Sequence, residues 1–207
     1  MRKIYIIILI ALSTSLSAQN SLIKPEIYIG ANFGVTESMI QFNPTVDQGF
    51  LMGYNGGIVF RYIAEKNVGM QAELNFSQRG WKESSGLYTR QLNYIELPFM
   101  THIYIGKKNR FFINLGPKIS YLIKENVITN QASTTDVQQT TAIQNPFDYG
   151  LCGGIGFLFN IKGNIFQLDS RASYSLSDIY SNSKSDYFDS SKNMTLSVNL
   201  AWLMKIK

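Results

Sequence analysis

From residue 91 to residue 105 two kinds of side chain take strict turns. Asn93, Ile95, Leu97, Phe99, Thr101, Ile103 and Ile105 fall on one side of an extended chain, and Tyr94, Glu96, Pro98, Met100 and His102 on the other. A strand of a soluble sheet usually runs about 5–6 residues, and a tilted strand crossing an outer membrane needs roughly 9–11. The run is long enough to cross. If other segments repeat it, the fold is a transmembrane β-barrel.

They do repeat it. Seven further alternating segments are read at residues 27–35, 51–63, 68–79, 111–121, 148–161, 166–176 and 194–206. Short polar turns at 64–67, 106–110 and 162–164 alternate with longer connections at 37–48, 82–89, 124–145 and 178–192. The expected fold is all-β: an eight-stranded, antiparallel, up-and-down barrel of outer-membrane type, with tight turns and both termini on the periplasmic side. Pro98 lacks a ladder donor in what reads as an interior strand, so a bulge is expected there.

The charges choose the face. Arg61, Glu73, Arg79, Glu96, Lys118, Asp148, Asp169, Arg171 and Lys205 all share the polar parity, and no strand as drawn carries a charge on the apolar side. A cation on the lipid face near the midplane costs roughly 2–4 kcal/mol, which makes the register specific. The rival architecture is a secreted lipocalin-like carrier with the apolar face turned inward. An eight-stranded barrel has room inside only for side chains or one small ligand; the polar set, rich in Gly, Asn and Ser, fits that space better than the Phe, Tyr, Trp, Ile and Leu of the other set. Tyr62, Phe111, Phe159 and Phe166 near the tight turns, and Tyr121, Tyr149 and Tyr174 near the long loops, would form two aromatic girdles.

Within the lumen, Glu96 and Lys118 stand at similar heights on neighbouring strands, while Glu73 and Arg171 are also inward and mid-strand. The four are expected to belong to an ion-pair network that plugs the barrel, since buried charges must be paired; a selectivity ring is the alternative. His102 and Cys152 read as ordinary lumen residues. No Ser/His/Asp set, nucleotide loop or metal-spaced cysteines are present, so no enzyme activity, metal or cofactor is expected.

Arg2 and Lys3, an apolar run at 4–12 and small or polar residues at 13–18 follow the order of a secretory signal peptide, expected to be cleaved after Ala18 to leave a single barrel domain at 19–207. Cleavage takes the formal charge from +5 to +3 by removing Arg2 and Lys3 (5 − 2), too mild for nucleic-acid binding. One cysteine excludes an internal disulfide scaffold. Mean hydropathy is near zero, as it is in barrels whose two faces average out.

Tyr94-Ile95-Glu96-Leu97-Pro98, Phe112-Ile113-Asn114-Leu115-Gly116-Pro117, the spaced glycines at 150–156 and Arg171-Ala172-Ser173-Tyr174-Ser175-Leu176 resemble the small PorT-like, or porin-family, outer-membrane barrels of Bacteroidota. The chain departs from many outer-membrane barrels in ending on Lys207 rather than on an aromatic residue. The resemblance implies an outer-membrane location and a link to type IX protein secretion. The reading that follows is a structural or interaction barrel in outer-membrane lipid, its long loops contacting a protein partner or the secretion machinery; a narrow pore for small solutes is the alternative.

Overall fold

The computed structural model describes residues 21–129, 136–161, 163–182 and 187–206. The signal-peptide reading of residues 1–18 lies outside them. The strands are β1 (Ser21–Asn43), β2 (Gln48–Gly49), β3 (Leu51–Glu65), β4 (Val68–Glu83), β5 (Tyr88–Gly106), β6 (Asn109–Thr129), β7 (Phe147–Ile161), β8 (Asn164–Ser175) and β9 (Ser190–Lys205), with one helical turn, α1 (Val137–Thr140). β2 is a two-residue appendage on β4. The other eight strands form a ring, β4-β3-β1-β9-β8-β7-β6-β5, closed by antiparallel pairing of β4 with β5. Among the described residues, closure gives each of the eight strands a partner on both sides across the membrane band, which a sheet in hydrocarbon requires.

Side-chain parity follows the expected pattern. Phe33, Ile58, Leu97, Leu115, Ile155 and Leu200 point outward and are exposed, whereas Arg61, Gln71, Asn114, Lys118 and Gln167 point inward and are buried. An outward apolar wall is a lipid-facing wall, so the soluble carrier fold does not apply. Phe159, Phe166 and Trp202 lie outward toward the tight-turn rim, and Tyr121, Tyr149 and Tyr174 outward toward the other. At the first tight turn Asn67 takes φ 73°, a left-handed conformation that Asn tolerates, and its Nδ2 donates to the Tyr104 carbonyl at 2.7 Å. The turn is thereby latched to β5.

Four expectations are corrected. The long connections are shorter than they read, because pairing continues after the apolar alternation stops: β1 and β9 remain paired from Met39↔Met194 to Asn43↔Ser190, and β5 and β6 up to Tyr88↔Thr129. A backbone ladder needs no apolar side chains, so hydrophobic periodicity reports the membrane and not the end of a strand. Asn93 is buried beside Tyr94 instead of facing lipid; the ladder shifts register there, with Asn93↔Lys124 followed by Tyr94↔Leu122, leaving Ile123 as the extra residue on β6. Pro98 lies at no bulge, since it opposes Lys118 in the same register that pairs Thr101 with Leu115. Finally, because β1 extends through Glu37, one carboxylate does sit on the outward face, opposite Leu196 and Met52.

Candidate functional site

The lumen is filled in layers. At the tight-turn end Tyr28, Val59, Ile63, Tyr104, Phe112, Leu158, Ile165, Ala201 and Leu203 form an apolar plug. His102 borders it, Nδ1 2.7 Å from Asn114 Oδ1 and its ring 5.1 Å from that of Phe112.

Above the plug lies a first ionic layer. Arg171 Nη1 and Nη2 donate to the two carboxylate oxygens of Glu73 at 2.8 and 2.9 Å, and Nη2 lies 3.5 Å from Asp169. Glu73 also accepts from Gln71 at 2.5 Å, Asn75 at 2.8 Å and Asn32 at 3.0 Å, while Asp169 accepts from Gln167 at 2.7 Å and Asn199 at 3.0 Å. Arg61 bonds Gln71 and Gln167. Two guanidinium groups and two carboxylates balance.

A second layer sits nearer the long loops, and Arg79 is its hub. It donates to Asp148 at 2.8 Å, to Ser120 at 3.0 Å and to Glu96, and its guanidinium stacks 4.6 Å over the Tyr94 ring. Lys118 Nζ lies 3.6 Å from Glu96 and 3.9 Å from Asp148. Here too two cations face two carboxylates. Each layer is neutral, as groups taken out of water must be.

Of the four residues singled out from the sequence, the structure brings Glu96 and Lys118 together in the second layer and Glu73 and Arg171 in the first. Arg79, Asp148, Arg61 and Asp169 complete the layers. Their inward parity was readable; which strand partners they meet was not, because that depends on closure of the barrel across sequence separations as large as Arg61 to Gln167. Lys205 stands apart, exposed at the rim and bonded to Glu26 at 2.8 Å. Cys152 is a buried free thiol. Among the described residues no three His, Cys, Asp or Glu side chains are placed to share a metal ion.

The extracellular mouth is capped, which the sequence did not disclose. Ile40, Phe42, Trp81, Tyr88, Leu92, Tyr94, Ile179, Tyr180 and Phe188 form a second buried apolar cluster, with Phe42 edge-on to Trp81 at 5.4 Å and Tyr180 stacked on Phe188 at 5.3 Å. Arg90 ties the cap to the loops. It is 3% exposed and donates to the carbonyls of Gln138 at 3.0 Å and Thr141 at 2.8 Å, to Tyr180 Oη at 2.9 Å and to Glu125 at 2.6 Å, with its guanidinium 5.5 Å from the Trp81 ring. Burial pushes the Tyr180 phenol above its ordinary range, against the opposing charge of Arg90.

A closed eight-strand ring with a lipid-facing apolar wall, a polar lumen and two aromatic rims defines an outer-membrane β-barrel. The chain belongs to the outer membrane protein beta-barrel domain family, whose pattern matches residues 17–181. Its location is the outer membrane. Among solved structures, OprG of Pseudomonas aeruginosa is similar at 11% identity with TM-score 0.52, over 91% of this chain and 97% of that one. The attachment invasion locus protein Ail of Yersinia pestis matches at 16% identity and TM-score 0.46, over 86% and 98%. Neisserial surface protein A matches at 12% and 0.46, over 84% and 95%. Among curated proteins nothing matches the sequence.

Proposed function

We propose that this protein is a sealed outer-membrane barrel that acts through its extracellular crown, where the loops hold a protein partner. The observation that carries the reading is the contrast between a lumen filled from end to end and a crown built for rigidity. Arg61, His102, Phe112 and Lys118 are each no more than 1% exposed, whereas a conduit needs water along its axis. Arg90 meanwhile orders α1 and the segment carrying Tyr180 over the mouth, and a rigid crown lowers the ordering cost of binding. The chemistry on this reading is recognition.

The sequence resemblance to PorT-like barrels of Bacteroidota makes type IX secretion machinery the partner class to test first. The chain is then exported by a signal peptide at 1–18, and the mature barrel begins at residue 19. Replacing residues 130–145 with a short turn tests the reading: the barrel still folds in vesicles, but cross-linking to its partner on intact cells is lost. Retention of the cross-link with the loop removed refutes it.

A further inference from the structure

Glu37 breaks the rule that governs every other membrane-facing position. On β1 it lies between Val35 and Met39, with Leu196 opposite it on β9 and Met52 on β3, and it is exposed. Both ladder pairs flanking it on β9, Val35↔Val198 and Met39↔Met194, are apolar, and Met194 also pairs with Tyr174 of the long-loop aromatic rim, so the carboxylate stands on the apolar wall just below that rim. Among the described residues it has no ion-pair or hydrogen-bond partner. On β9 the nearest outward cation is Lys192, opposite Gln41, four residues up the ladder and so about 13 Å along the strand at 3.3 Å per residue. An unpaired charge on a lipid-facing wall is expensive, and such groups mark functional sites.

Beside it the wall is hollowed. A trough of about 490 Å³ runs across the outer faces of β6 to β9 and reaches β1, lined by Leu115, Leu151, Tyr174, Leu196 and Met194 with Glu37 at its margin. Its floor is Gly153, paired with Ala172, two small residues flanked by Leu151, Ile155 and Tyr174, with Ser170 below Ala172 on β8. Among its described lining residues the carboxylate is the only charge, and the rest of the wall is largely apolar.

We infer that this trough is a lateral binding site for a single-chain amphiphile whose head carries an amine next to the chain: the chain lies over Gly153 and Ala172, and the ammonium meets Glu37. A second copy of the barrel is a poorer occupant. The outward residues of the membrane band, at 52–62, 68–78, 95–105, 111–121, 149–161, 166–176 and 194–206, include no Lys or Arg, so another wall brings nothing to neutralise Glu37. A symmetric contact centred on the trough would set the two carboxylates near each other.

Hexadecylamine and chain-matched hexadecanol, titrated into the mature barrel in phosphocholine micelles, test this through saturable amide shifts of Gly153 and Ala172. The amine should bind at least about tenfold more tightly than the alcohol. Glu37→Gln should bring the two to parity, and Ala172→Phe, which fills the trough from outside, should abolish both while the barrel stays folded. Equal binding of the two probes to the native barrel, or an amine preference unchanged in Glu37→Gln, overturns the proposal. So does a dimer that Ala172→Phe dissociates with no amine preference, since a second copy would then be the occupant.

Discussion

Arg171 grips Glu73 with two parallel hydrogen bonds, 2.8 and 2.9 Å long, joining β8 to β4 across the lumen. With Glu73 itself 3% exposed, removing either partner strands a buried charge. Glu73→Ala should lower stability by about 3–5 kcal/mol. The double variant Glu73→Leu with Arg171→Leu should lose less than either single truncation, because the two opposite charges leave together. Reversible urea unfolding in phosphatidylcholine vesicles measures both, and equal losses from single and double variants would show that the pairing is incidental.

Gly80 makes the bend that carries Trp81 into the cap. It has φ 138°, and a Cβ there would stand 1.9 Å from the Arg90 carbonyl. Gly80→Ala should therefore cost about 1–3 kcal/mol and displace the Trp81 ring. Red-shifted Trp81 emission, read with Trp202→Phe as background, reports the displacement; a native spectrum would mean that the backbone absorbs the methyl group.

Arg90→Gln should loosen the crown and spare the barrel. Losing the donors to Gln138, Thr141 and Tyr180 frees α1, so amide exchange at 137–141 rises while strand exchange stays unchanged. The crown also has an alkaline limit. Burial raises the folded-state pKa of Tyr180 above its ordinary value of 10.0, so its contribution is full below that value and is lost as pH climbs above it, when the freed loop can ionise and the packed one resists. Protection of the loop amides, read as exchange relative to the intrinsic base-catalysed rate at each pH, should fall above about pH 10, and Tyr180→Phe should reduce that fall.

Lipid-facing positions announced themselves because hydrocarbon admits little but apolar side chains: Ile95, Leu97 and Phe99 against Tyr94, Glu96 and Pro98 are enough to set parity. The inward charges followed from the same rule. Two kinds of information were hidden. Partners such as Arg79 and Asp148 meet only through ring closure, which local alternation does not encode. Above the membrane, the outward face turns polar while the backbone stays paired, so Phe42 and Tyr88 read as loop and Trp81 falls past the end of the strand as read, although all three belong to the packed cap. Glu37 was obscured for that reason: a charge at the end of an apolar run looks like the start of a loop, and only the continuing β1–β9 ladder places it on the wall.

A closed lumen leaves the crown as the proposed working surface. The most direct test is planar-bilayer recording of the mature barrel, beside Lys118→Ala, Glu96→Ala and a variant lacking residues 130–145. Folded protein that stays electrically silent in all four forms is the expected result. Stable openings in the native barrel whose conductance or ion selectivity changes with Lys118 or Glu96 would contradict it, making the two ionic layers a filter instead of a plug.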